Sequence, residues 1–119
     1  MRDIEVQKLM DTADALKNDG KYQEAIGVYL ETLREAKKDW QDGIKDEDWQ
    51  KKAIFMACNG MGISYAKWGK VIDAIDNFAD AVLYAPNEEA KKVAKLNLEK
   101  YQEAVKNKTE YKFVSHFID

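Results

Sequence analysis

The residues with the greatest capacity for chemistry are a single cysteine, Cys58, and a single histidine, His116. One residue of each type cannot form an intrachain disulfide, a Cys/His zinc site or a two-histidine metal motif. Cys58 lies among apolar residues at helical spacing, where a thiol usually acts as a small hydrophobic side chain. His116 has no Ser or Cys pattern around it. The sequence therefore predicts no catalytic residue, no metal and no cofactor, and we expect that the protein is not an enzyme.

Two other patterns resemble chemical sites on first inspection. Gly60-Met61-Gly62 lacks the preceding strand and the following Lys-Ser/Thr of a phosphate-binding loop, so we expect these glycines to allow close helix packing. Asp73, Asp76 and Asp80 fall on one exposed helix face without partners, and this spacing favours a solvated surface over a metal site.

Length and composition indicate a single soluble domain that is rich in helix. The chain has 119 residues, of which 45% are apolar and 34% charged, with one proline and six glycines. Its net charge of −3 gives no reason to expect nucleic acid, although residues 91–112 hold seven lysines against three glutamates. No segment is apolar enough for a membrane span or a signal peptide, so we expect no membrane association and a cytoplasmic location.

Helical periodicity and punctuation predict five helices. The first covers about residues 4–18 and ends at Asn18-Asp19-Gly20, the second continues to Trp40 or Gln41, and the third starts near 46–48 and ends at Gly69. Pro86 closes the fourth, and Asn87 caps a fifth that reaches about Asn107.

The third helix is predicted to be central because it is apolar on two opposite sides, one of them comprising Trp49, Ala53, Met56, Gly60 and Ile63. Apolar stripes are also predicted for the two helices that follow it. They comprise Ile72, Ile75, Phe78, Ala79 and Val82 on the fourth helix, and Ala90, Val93, Ala94, Leu98, Tyr101, Ala104 and Val105 on the fifth.

An internal repeat appears when Gly20 is aligned with Gly69. Residues 20–33 and 69–82 then share Gly, Lys, Ala and Ile, and they match an aromatic residue, Tyr29 with Phe78. The second copy resembles the tetratricopeptide repeat (TPR), a helix–turn–helix with large apolar, Leu, Gly, Tyr, Ala, Phe, Ala and Pro at fixed offsets. The residues at those offsets are Cys58, Met61, Gly62, Tyr65, Ala74, Phe78, Ala81 and Pro86.

The resemblance implies an all-α, TPR-like array of α-hairpins, a right-handed superhelix of about five helices. The two glycines are 69 − 20 = 49 positions apart instead of the family's 34, which implies an elongated hairpin between the repeats. Residues 1–110 would form this helical domain and residues 111–119 an apolar C-terminal tail. The tip near Trp40, Ile44 and Trp49 would be clamped by its own tryptophans or would serve as a contact site.

Residues 13–38 alone also resemble the three-helix modules that interact with microtubules or bind ESCRT subunits, which share a Gly-x-Tyr-x-Glu-Ala turn. Those modules contain no second copy of this turn, whereas this sequence repeats it at Gly69, and this favours the TPR interpretation.

In the TPR family the first helix of each repeat lines a concave groove that holds a peptide or helix of a partner. Carried over to this sequence, the resemblance implies a partner-binding groove that includes Met10, Asp14, Met56, Asn59, Ile63, Val93, Asn97 and Tyr101. The family's carboxylate clamp is not matched, because Met10, Asp14, Gly60, Ala90 and Ala94 occupy its positions.

These observations predict an interaction module, an adaptor or scaffold, that binds a protein or peptide partner. The alternative is a self-assembling structural module that forms homo-oligomers, because two repeats are fewer than such arrays usually need.

Overall fold

The computed structural model describes the backbone of residues 2–41 and 47–118, and the side chains of residues 4–38 and 48–107. The described backbone is helical and contains no strand. The helices are α1 (Arg2–Asn18), α2 (Tyr22–Gln41), α3 (Glu47–Trp68), α4 (Val71–Tyr84) and α5 (Glu88–Ile118). The all-α prediction and the number of five helices are thus confirmed for the described part of the chain.

The helix boundaries agree with the predicted helix starts and ends except at the end of the last helix. The Oδ1 atom of Asn87 accepts a hydrogen bond from the backbone N of Ala90 at 2.8 Å, which is the predicted cap of α5. The predicted end near Asn107 is wrong, because α5 continues to Ile118. The predicted hairpin tip around Ile44 lies outside the described residues, as do the side chain of Trp40 and those of the apolar tail.

The α1–α2 and α3–α4 turns have the same backbone structure. Gly20 and Gly69 have φ angles of +81° and +89°, a left-handed conformation that glycine adopts without a Cβ penalty. The N of Gly20 bonds to the carbonyl of Lys17, and the N of Lys21 bonds to that of Leu16. In the second turn, the N of Gly69 bonds to the carbonyl of Ala66, and the N of Lys70 bonds to that of Tyr65. Each turn is therefore a Schellman motif, which satisfies the last carbonyls of the preceding helix.

The equivalence of the two hairpins extends into the core. Four pairs of positions 49 apart, the difference between Gly20 and Gly69, are buried in both copies. The matched pairs are Ala13 with Gly62, Ala25 with Ala74, Tyr29 with Phe78, and Thr32 with Ala81. The internal repeat inferred from sequence is thus a repeat of packing as well.

Helix α3 is the centre of the domain, as its two apolar sides predict. It packs against α2 and α4 and also contacts α1, whereas α5 packs along α4. The main core cluster includes residues from all five helices: Met10, Ala13, Ala25, Tyr29, Ile54, Ala57, Cys58, Met61, Ala81 and Ala94.

Two predicted apolar stripes are only partly buried. On α4 the buried residues are Ala74, Phe78 and Ala81, while Ile72 and Ala79 are exposed. On α5 Ala94 is buried, but Val93 and Ala104 are exposed. The difference arises because α4 has more apolar residues than the arc that α3 and α5 cover, and because α5 lies along a single neighbour.

Candidate partner-binding groove

The groove predicted from sequence is centred on a strip of α3. Lys52, Met56, Asn59 and Ile63 follow one another at spacings of three and four, so they share one side of this helix. Lys52 and Met56 are exposed, and Asn59 and Ile63 are partly buried. Most of the rest of α3 is enclosed by other helices. This strip is thus an accessible side of the central helix.

A depression of about 120 Å³ lies between α1 and the first half of this strip. Its floor is apolar because Val6, Met10 and Ala53 are buried there. The remaining lining residues are Gln7, Trp49, Lys52 and Met56. An apolar floor with a few polar groups at the rim is typical of sites that accept one apolar side chain of a partner.

Met10 and Met56 both belong to the predicted groove, and the structure brings them together in this depression. Their exposures differ, since Met10 is 3% exposed and Met56 is 38% exposed. Met10 therefore forms part of the floor of the depression. Met56 is the flexible apolar side chain at its edge that a partner would contact first. Unbranched methionine side chains adapt readily to the shape of a ligand.

Asn59 lies one turn beyond Met56 on the same strip. Its Oδ1 atom is buried and has no hydrogen-bond partner among the described residues. An unpaired buried acceptor costs about 1–3 kcal/mol. Because this oxygen is closed off from solvent, it is a polar group of the domain interior and not part of the accessible strip.

Asp14 has a different environment from the one that the predicted groove implies. The Tyr29 hydroxyl on α2 donates a hydrogen bond to its Oδ1, and Lys17 Nζ lies 3.9 Å from the same oxygen. Burial, followed by the hydrogen bond and the charge of Asp14, raises the pKa of the Tyr29 hydroxyl well above its usual value. The Asp14 carboxylate is thus already used to join α1 to α2.

The α5 residues of the predicted groove are not among those that line the depression. Val93 is 49% exposed and Asn97 is partly buried. The Tyr101 ring stacks on Phe78 of α4, with centroids 5.7 Å apart and an interplanar angle of 4°. Tyr101 therefore anchors α5 to α4, which leaves Val93 as the most accessible apolar residue of this group.

The depression also contains residues that the predicted groove omitted. Val6 and Lys52 are its clearest examples, and both were identifiable in principle. Val6 is one turn before Met10 on α1, and Lys52 is one turn before Met56 on α3. Which neighbouring turn contributes to a groove depends on how far the two helices overlap, and sequence periodicity does not specify this overlap.

The one thiol in the chain is poorly placed for reactivity. Cys58 is 3% exposed, and burial, reinforced by Asp80 and opposed by Lys37, raises its pKa to about 12. The neutral thiol thus dominates near neutral pH, and it is the thiolate that reacts. His116 lies beyond the described side chains. No group of three His, Cys, Asp or Glu residues within the described part could hold a metal ion.

Comparisons with protein-family models, with curated proteins and with solved structures find no match to this chain. Within the described ranges, none of the helices combines the length and apolarity that crossing a membrane requires.

Proposed function

We propose that this chain is a TPR-like interaction module that binds a helical or extended segment of a partner protein along α1 and α3. The observation that carries this proposal is the apolar depression between the two helices, with Met56 exposed at its edge. A helical segment with apolar residues two turns apart, about 10 Å, would place one in the depression beside Met56 and the next against Ile63. Asn59, between them, would lie beneath the segment.

The TPR-like arrangement is supported by the matched hairpins. Both turns are Schellman motifs, four pairs of equivalent positions are buried, and α1 contacts α3 across the repeat boundary. Contact between the first helices of successive repeats is what a continuous groove along them needs. An array of two repeats also needs a closing element, and α5 suits that role because it packs along α4, with Tyr101 stacked on Phe78.

The methionine methyl groups allow a direct test of the groove. A displayed library of random peptides would be selected on the folded protein, and the selected peptide would be titrated into protein with labelled methyl groups. We expect the Met56 and Met10 signals to shift. The Met61 signal should not move, because Met61 is 2% exposed inside the core.

Substitution provides a second, independent test. Met56→Glu and Ile63→Glu should weaken binding of the selected peptide at least about tenfold, because each places a charge on the apolar contact surface. Leu30→Glu is the matched control, since Leu30 is an exposed apolar residue on α2 outside the depression. A peptide that shifts Met61 but not Met56, or that binds all three variants equally, would contradict the proposed groove.

A further inference from the structure

The outward side of α4 carries an acidic and apolar surface that no other helix of the described chain covers. We call it the α4 stripe, and it consists of Ile72, Asp73, Asp76, Ala79, Asp80 and Leu83, all of which are exposed. Ile72 and Leu83 are 60% and 72% exposed, the two highest values among the exposed large apolar residues. They are eleven positions apart, about three helical turns, and therefore lie on one line about 16 Å long.

The charge of this surface has a single sign. Helix α4 contains three aspartates and no lysine or arginine. None of the three carboxylates forms an ion pair with a side chain in the described part of the structure. Apolar residues along one line with unpaired carboxylates beside it are suited to contact with a helix that presents apolar and basic residues.

The same chain presents such a helix in α5. Lys92, Val93, Lys95, Leu96 and Lys100 are exposed there, and we call this set the α5 face. Val93 is 49% and Leu96 59% exposed. Glu99 lies within the segment, so the segment 92–100 carries three positive charges and one negative charge. The α5 face, with the exposed Glu99 among its lysines, thus supplies a net charge of +2 and two apolar side chains to match three aspartates and two large apolar side chains.

We propose that two copies of this chain associate with the α4 stripe of each copy against the α5 face of the other. A two-fold arrangement would use each surface once per copy and would close as a dimer. The contact would remove Ile72, Leu83, Val93 and Leu96 from water and would pair the aspartates with lysines. It shares no residue with the depression between α1 and α3, so it does not depend on the proposed groove.

The test uses the full chain and light scattering after size-exclusion chromatography. The unmodified protein should have twice the monomer mass of 13.7 kDa at micromolar concentrations, and the mass should fall toward that of the monomer as salt is raised. Asp76→Lys/Asp80→Lys and Lys92→Glu/Lys95→Glu should each weaken dimerisation about tenfold or more, because each brings like charges together. These positions are exposed, so the helical circular dichroism should be unchanged.

Mixing the two charge-reversed proteins is the decisive measurement. In a mixed dimer the new lysines of one chain face the new glutamates of the other, and the second contact keeps its original charges. We therefore expect the mixture to recover a dimer that neither variant forms alone. Glu5→Lys/Glu31→Lys, a pair on α1 and α2, is the control, because it changes the net charge by +4, as Asp76→Lys/Asp80→Lys does, but should leave the dimer intact.

Three results would overturn the proposal. The first is an unmodified protein that remains a monomer throughout the micromolar range. The second is a dimer unaffected by either charge reversal, which would use another surface. The third is a pair of variants that both lose the dimer but do not recover it when mixed.

Discussion

The ring of Tyr29 on α2 lies directly over Gly60 on α3, in space that a side chain at position 60 would need. A Cβ built on Gly60 would be 2.6 Å from the Cε1 and Oη atoms of Tyr29. We therefore expect Gly60→Ala to lower the free energy of unfolding by about 1–3 kcal/mol through overpacking. This loss should exceed the gain of roughly 1 kcal/mol that alanine has over glycine in a helix. Urea denaturation followed by circular dichroism measures the difference.

The second repeat gives the same prediction with a different aromatic ring. A Cβ on Gly62 would lie 2.7 Å from Cε1 of Phe78, so Gly62→Ala should be destabilising to a similar extent. Gly27 is the control, because it is exposed within α2 and nothing lies within 4 Å of a Cβ built there. Gly27→Ala should raise the free energy of unfolding by about 0.5–1 kcal/mol. Equal effects at all three glycines would contradict the packing described for the two rings.

The hydrogen bond from Tyr29 to Asp14 should contribute measurably to stability. Tyr29→Phe removes the donor while keeping the ring, and we expect a loss of about 1–3 kcal/mol, typical of a hydrogen bond to a charged acceptor. Asp14→Ala should have a similar effect, and the double variant should be little worse than either single variant. Lys17→Ala is the control, because an ion pair at 3.9 Å near the surface contributes about 0–1 kcal/mol. Strictly additive losses for Tyr29→Phe and Asp14→Ala would show that the pair is not coupled.

Much of this fold could be predicted because its determinants are local. Gly20, Gly69 and Asn87 act within a few residues of themselves, and the structure places a turn or a cap at each. The exposure of Ile72 and Val93 could not be predicted in this way, since it depends on which arc of α4 and α5 a neighbouring helix covers. The same limit applied to the groove. Helical spacing placed Met10 and Met56 on suitable sides, but only the packing of α1 on α3 makes one the floor and the other the edge.

The two turn glycines provide a test of whether the repeats are energetically equivalent. Gly20→Ala and Gly69→Ala each force a residue with a Cβ into a positive φ angle, at a cost of about 1–2 kcal/mol. Neither position has an atom within 4 Å of the added Cβ, so the cost is conformational in both. We expect two losses of similar size in urea denaturation. A clearly larger loss at one position would mean that the two turns are not equivalent.

The buried thiol of Cys58 should make the free energy of unfolding depend on pH in alkaline solution. Its pKa rises from 9.0 to about 12 on folding, chiefly because burial disfavours the thiolate. Between these values the unfolded chain loses a proton that the folded chain keeps, so rising pH favours unfolding. The contribution of this thiol to the free energy of unfolding should therefore be fully present below pH 9. Above that pH it should fall by about 1.4 kcal/mol per pH unit until pH approaches 12.

A comparison with Cys58→Ala isolates this effect, because the lysines and tyrosines titrate in both proteins and cancel in the difference. The stability advantage of the unmodified chain over Cys58→Ala should be constant near neutral pH and should shrink above pH 9. A thiol-specific reagent gives an independent measurement, since it should react much more slowly with the folded chain than with the chain in urea. A difference in stability that does not change with pH, together with rapid labelling of the folded protein, would mean that the thiol is accessible to solvent. The packing of α3 against α4 around Cys58 would then be wrong.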